Sequence, residues 1–138
     1  MARTGKCLCG AVRFSARETG GFGVCHCSQC QRWAGSALFG VTVPEASLRI
    51  EGEENVGTFR SSEWASRSFC TTCGSALWYR YDKGRDGVGD YEIPVGLFDD
   101  GNGFELKREI FADLKPDSWS LEGEHDRLTE AQTRALYG

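Results

Sequence analysis

The sequence predicts a mainly-β fold of many short strands, with short helical turns and one short C-terminal helix. Three observations carry this. Short runs alternate apolar and polar residues, as in Ala11-Val12-Arg13-Phe14-Ser15-Ala16, which is the pattern of a half-buried strand. Turn residues interrupt such runs at roughly 8–12-residue intervals, the rhythm of an all-β protein. Helical signals are confined to a stretch after Cys27 and another near the C-terminus. With 138 residues, no repeat and no low-complexity linker, residues 1–138 are expected to form a single domain with a sizeable core.

Each element has a local reason. Glu18-Thr19-Gly20-Gly21 is a turn, and Phe22 to His26 reads as a strand that brings Cys25 and Cys27 to one face and turns His26 to the other. Ser28 and Gln31 fit a capping box and Gly35 a C-terminal cap, so a short helical turn is expected, with Cys30 in its first turn. Ser36 to Val43 is a strand closed by Pro44. Ser47 to Glu51 and Glu54 to Arg60 are strands divided by Gly52, and Trp64 to Phe69 leads into the Cys70-Thr71-Thr72-Cys73-Gly74 knuckle. Ser75 to Tyr81 emerges from it. Asp82 to Asp90 is the part least ordered by composition. Tyr91 to Phe98 is a strand whose Pro94 suits an edge or a bulge. Asp99 to Gly103 is a turn, Phe104 to Ala112 a last strand or pair, and Leu128 to Tyr137 a helix with Thr129 and Gln132 as a capping box.

Composition excludes several classes of function. The formal charge of −4 offers no basic footprint for nucleic acid. No apolar run approaches the roughly 20 residues of a membrane span. The N-terminal Met1-Ala2-Arg3-Thr4-Gly5-Lys6 lacks the apolar core of a signal peptide, so a cytoplasmic location is expected, where stable disulfides are rare. Two histidines are too few for most acid–base schemes, and neither a Ser/His/Asp triad nor a phosphate loop is visible.

The seven cysteines carry the chemistry. They fall into Cys7/Cys9, Cys25/Cys27/Cys30 and Cys70/Cys73, and so divide into four plus three. The two outer pairs, each followed by glycine, suit a closed four-thiolate zinc site that staples the N-terminal strand to the middle of the chain. The middle set supplies three thiolates. A zinc with three protein ligands and an open position is the arrangement of catalytic sites. Three thiolates make the metal a poor activator of water and a better partner for a soft substrate thiol. The chemistry expected from charge and softness is therefore making or breaking a carbon–sulfur bond. The alternatives are a second closed site completed by His26 or His125, and a metal-free redox trithiol. His125 lies in Glu122-Gly123-Glu124-His125-Asp126, a segment that also reads as a plain surface loop.

Cys7-Leu8-Cys9-Gly10-Ala11-Val12-Arg13-Phe14, Cys25-His26-Cys27-Ser28-Gln29-Cys30-Gln31-Arg32 with Gly35, and Phe69-Cys70-Thr71-Thr72-Cys73-Gly74-Ser75-Ala76-Leu77 together resemble the glutathione-dependent formaldehyde-activating enzyme family, which includes centromere protein V. Val95 to Asp100 and the Lys115-to-Trp119 segment fit the same resemblance, which covers nearly the whole chain. It implies a β-tent fold of small zinc-bearing antiparallel sheets. It implies a structural zinc on Cys7, Cys9, Cys70 and Cys73 and a catalytic zinc on Cys25, Cys27 and Cys30. It also implies a carbon–sulfur lyase that joins glutathione and formaldehyde into S-(hydroxymethyl)glutathione. The partner expected is a small glutathione-like thiol, with Arg32 a candidate to hold its carboxylate. The other function in view is a non-enzymatic zinc module that binds thiols or a protein partner.

Overall fold

The computed structural model describes residues 2–82 and 89–137. The Gly-rich loop expected at Asp82 to Asp90 lies mostly outside them. In chain order the elements are β1 (Arg3–Lys6), β2 (Arg13–Ala16), β3 (Phe22–Cys25), α1 (Ser28–Ala34), β4 (Leu38–Val43), β5 (Leu48–Glu51), β6 (Val56–Arg60), β7 (Ala65–Cys70), β8 (Ala76–Tyr81), β9 (Tyr91–Pro94), β10 (Leu106–Ile110), β11 (Asp126–Arg127) and α2 (Glu130–Tyr137). The protein is thus mainly β, with its strands in two sheets and a short C-terminal helix. Among the described residues no helix is long and apolar enough to cross a membrane.

The chain divides into two compact units. The first comprises Met1–Gly20 and Val41–Gly103. In it β1, β2 and β5 form an antiparallel sheet in that order, with Phe14 opposite both Gly5 and Ile50. An antiparallel run joins β6, β7, β8 and β9. The core follows the alternation in the sequence: Val12, Phe14 and Ala16 are buried, as are Val41, Val43, Leu77 and Ile93. Phe14 meets Phe98 edge-on at 5.2 Å, and Trp78 meets Tyr91 edge-on at 5.6 Å.

β1 has no apolar alternation and does not stand out in the sequence. Tertiary grips form it instead. Arg3 donates to the carbonyls of Asp100 and Asn102, and the Thr4 hydroxyl bonds Asp99 Oδ2 at 2.7 Å. The expected strand from Tyr91 to Phe98 stops at Pro94, and a 3-10 turn over Val95–Leu97 follows. Proline has no N–H to extend a ladder.

The second unit comprises Gly21–Gly40 and Phe104–Gly138. Here β3 and β11 each run parallel to β10. Parallel neighbours need long connections, and β3 and β10 lie far apart in sequence. The helix α2 begins with the expected capping box: Thr129 N–H donates to Gln132 Oε1 at 2.9 Å and Gln132 N–H to Thr129 Oγ1 at 3.2 Å. The buried apolar set is small (Val24, Cys30, Ala37 and Leu38), and the polar His26 and Glu109 are buried as well. The interior of this unit is therefore partly polar, and its hydrogen bonding is what positions the site.

Candidate metal centres

Each unit gathers one set of cysteines, and none of the seven forms a disulfide. In the first unit the sulfurs of Cys7, Cys9, Cys70 and Cys73 all lie within 4.8 Å of one another. The turn after β1 supplies one pair and the turn between β7 and β8 the other. Gly10 and Gly74 end these turns, both with φ of 79°. That left-handed conformation costs glycine nothing, and it folds the backbone back on the sulfurs. Cys7 Sγ stands 3.7 Å from Cys9 Sγ, which stands 3.8 Å from Cys70 Sγ. A tetrahedron with Zn–S bonds of about 2.3 Å has edges of about 3.8 Å. These two separations match such edges, and the remaining sulfurs lie within 4.8 Å.

The local polar groups favour thiolates unevenly. The Ser75 hydroxyl lies 3.2 Å from Cys73 Sγ, and this bond together with a backbone N–H at Ser75 draws the Cys73 thiol down to about 5. The Val12 N–H donates to Cys7 Sγ at 3.4 Å. For Cys9, a backbone bond at Ala11 favours the thiolate, but desolvation and the sulfurs of Cys73, Cys7 and Cys70 outweigh it and push the thiol up to about 11. Four thiolates this close need a cation among them, which is what the donor set offers a metal.

In the second unit Cys25, Cys27 and Cys30 form the other group, again with sulfurs within 4.8 Å. Cys25 ends β3, opposite Ile110 on β10. Cys27 keeps an extended backbone, φ −63° and ψ 158°, so the two-residue alternation carries both sulfurs to one side, as expected. The residue capping α1 is Cys27, not Ser28: its sulfur accepts from the Cys30 N–H at 3.4 Å. Gln31, expected in a capping box, instead donates to the carbonyls of His26 (2.7 Å) and Leu114 (2.9 Å). Gly35, in the left-handed conformation, closes the helix by bonding the Gln31 carbonyl. The sulfurs of Cys27 and Cys30, then burial, push the Cys25 thiol far up from its ordinary value. Without a cation Cys25 holds its proton in this crowd, whereas a bound metal would take the thiolates.

Neither histidine joins this group among the described residues. His26 is fully buried, and its Nε2 lies 2.7 Å from Glu109 Oε1. The side chain of His125 is buried too, and not that of a plain surface loop: its Nε2 lies 2.5 Å from Glu109 Oε2. Arg127 Nε adds a contact of 3.1 Å to the same oxygen. Burial acts to raise the Glu109 carboxyl, but the bonds to His125 and His26 outweigh it and hold the group below the usual carboxylate range. Trp119 lies against the His26 ring at 5.5 Å between centroids. Arg32 is exposed on α1, two residues after Cys30. His125 stood in the sequence only as an alternative fourth metal ligand, and Glu109, Arg127 and Gln31 were not singled out as site residues.

The model of the family described as glutathione-dependent formaldehyde-activating enzyme matches residues 2–113. The chain belongs to this family. Among relatives of this formaldehyde-activating family, an uncharacterised lyase of Schizosaccharomyces pombe is 29% identical over 126 residues, covering 91% of this chain and 89% of that protein. A protein of Halomonas elongata that carries the family's name is 31% identical over 87 residues, 56% of this chain and 55% of its own length. A crystal structure of a Rhodobacter sphaeroides protein superposes with a TM-score of 0.56 at 22% identity, covering 90% of this chain and 98% of that one, and it supports the fold. The family match takes in both cysteine groups and Glu109, and ends before His125 and Arg127.

Proposed function

We propose that this protein is a zinc-dependent carbon–sulfur lyase or synthase acting on a small thiol adduct, of the S-(hydroxymethyl)glutathione type. The observation that carries the reading is the closed arithmetic of ligands. Four cysteines form one group and three the other, while both histidines of the chain are engaged by Glu109. Among the described residues no histidine, carboxylate or further cysteine is grouped with Cys25, Cys27 and Cys30. The S. pombe relative is named a lyase, and the family name supplies both the thiol and the aldehyde.

Cys7, Cys9, Cys70 and Cys73 would hold a structural zinc, and Cys25, Cys27 and Cys30 a second one with an open position. Zinc at the three-cysteine site would supply deprotonation of a substrate thiol near neutral pH. In the reaction the substrate sulfur forms a bond to the aldehyde carbon, the carbonyl π pair moves to oxygen, and the thiol proton ends on that oxygen. The reverse breaks the same bond, and no oxidant or reductant is needed. The chain's own part is placement. The half-buried Cys25 and Cys27 sit beside the buried Cys30, and Arg32 stands on the helix that follows, where its planar guanidinium can pair with a carboxylate of a glutathione-like substrate.

The test is zinc stoichiometry by native mass spectrometry, before and after addition of millimolar glutathione, joined to the rate of S-hydroxymethyl adduct formation over the uncatalysed rate. Two zincs, one of them perturbed by the thiol, with a rate gain, is the expected result. Two zincs indifferent to thiol, with no rate gain across several thiols and aldehydes, would replace the enzyme with a non-catalytic zinc module.

A further inference from the structure

His26 is the one residue between Cys25 and Cys27, so its placement sets how those two sulfurs stand to each other. It is gripped at three points. Its N–H donates to the Ile110 carbonyl at 3.1 Å. Its carbonyl accepts from Gln31 at 2.7 Å. Its ring meets Glu109 at 2.7 Å with the side chains of both partners buried. The first two bonds hold its backbone, to β10 and to α1. The third runs to a carboxylate 83 positions away in sequence.

That carboxylate is itself fixed from the other side. Oε2 of Glu109 faces His125 at 2.5 Å and Arg127 at 3.1 Å, both in the segment that forms β11 along β10. Glu109 is thus the knot between the inner cysteine loop and residues 125–127, which lie beyond the stretch that the family model matches. A buried carboxylate is strongly destabilising unless paired and hydrogen-bonded. Here both carboxylate oxygens are engaged, Oε1 by His26 and Oε2 by His125 and Arg127, and the shared carboxylate restrains all three side chains, while the buried Nδ1 of His26 has no hydrogen-bond partner among the described residues.

We propose that Glu109 is a positioning residue of the three-cysteine centre: its carboxylate, clasped by His125 and Arg127, locks His26 and thereby presets the spacing of Cys25, Cys27 and Cys30 for a metal ion. The proposal rests on the reading of that group as a metal site, and not on any turnover there. Outer groups that orient metal ligands typically carry about 10–100-fold in metal affinity.

The test uses the full chain loaded with Co2+, whose thiolate charge-transfer and ligand-field bands report each site as it is emptied by a graded chelator. In the Glu109→Gln variant, which keeps the shape and loses the charge, the three-cysteine site should lose about 10–100-fold in affinity and change its ligand-field bands. The four-cysteine site should hold its cobalt as in the parent and serve as the internal control for folding. An unchanged affinity and spectrum at the three-cysteine site would overturn the proposal. If Glu109→Gln loses both sites, His26→Gln decides in its place, since it removes the ring that Glu109 holds and leaves Glu109 clasped by His125 and Arg127. A selective loss at the three-cysteine site then supports the proposal, and an unchanged site overturns it. A parent protein whose metal ignores glutathione would defeat the proposed enzyme function and leave this result standing, because no thiol substrate enters the cobalt experiment.

Discussion

At the scale of single residues, Glu92 offers a test that is independent of any metal. It lies on β9, and the Thr42 hydroxyl reaches both of its carboxylate oxygens, at 2.8 and 3.0 Å. Burial pushes its carboxyl up to about 7 from 4.5, with Thr42 opposing and Asp90 adding to the rise. The folded state therefore holds this proton more tightly than the unfolded chain does. The stability tied to it is fully present below pH 4.5 and is lost as pH rises through 7. Glu92→Gln keeps a partner for Thr42 and removes the charge. It should raise the melting temperature at pH 8 by on the order of 4 °C and change it much less at pH 5. Equal shifts at the two pH values would show that Glu92 carries no such proton. The same scale shows what sequence can and cannot reveal. Cysteine pairs announce themselves because their partners stand two or three positions away. The bond from His26 to Glu109 joins residues with no local relation, and neither end has a spacing that marks it.

At the scale of elements, local chemistry was readable wherever nothing else claimed the side chains. The capping box of α2 forms as the sequence indicates, the side chains of Thr129 and Gln132 each accepting from the other's backbone N–H. At α1 the same pattern fails. The Cys27 sulfur is held at the cap by the cysteine group, and Gln31 is drawn to the His26 and Leu114 carbonyls. β1 and β11 escaped notice for a related reason. Arg3–Lys6 and Asp126–Arg127 carry no alternation, and they are strands only because of what they pair with. The helix α2 is also tied to the strand that bears Glu109. Phe111, just beyond β10, has φ of 53°, a conformation rare for a bulky residue, and its N–H donates to Thr133 Oγ1 at 3.2 Å. Thr133 in turn donates to the Thr129 carbonyl. Thr129→Ala should cost about 1 kcal/mol in thermal or urea unfolding, as loss of a cap does, and reduce helical signal. An unaltered transition would mean that α2 draws its stability from elsewhere.

At the scale of the whole molecule, the two cysteine groups should differ in what they do for folding. Cys9 and Cys70 are 61 positions apart, so a metal joining them closes a long loop. A cross-link over a loop of that length removes chain entropy worth about 4 kcal/mol, by analogy with a disulfide. The three-cysteine group spans only Cys25 to Cys30 and closes almost no loop, so its metal has little folding entropy to remove. The four-ligand site should also release its metal last, having no open position for a competing ligand. Graded chelation is therefore expected to take one metal with little loss of secondary structure, and the second together with cooperative unfolding. The matching variants separate the two roles. Cys27→Ser should fold, bind one zinc and melt within a few degrees of the parent, on the order of 1 kcal/mol. Cys70→Ser leaves three thiolates where the loop must be closed, and it should lose most of the roughly 4 kcal/mol and fold poorly without excess zinc. Zinc counting and thermal unfolding of the two proteins side by side decide the matter. If Cys27→Ser proved as damaging as Cys70→Ser, the inner group would be a structural staple as well, and its three-ligand shell would no longer speak for chemistry.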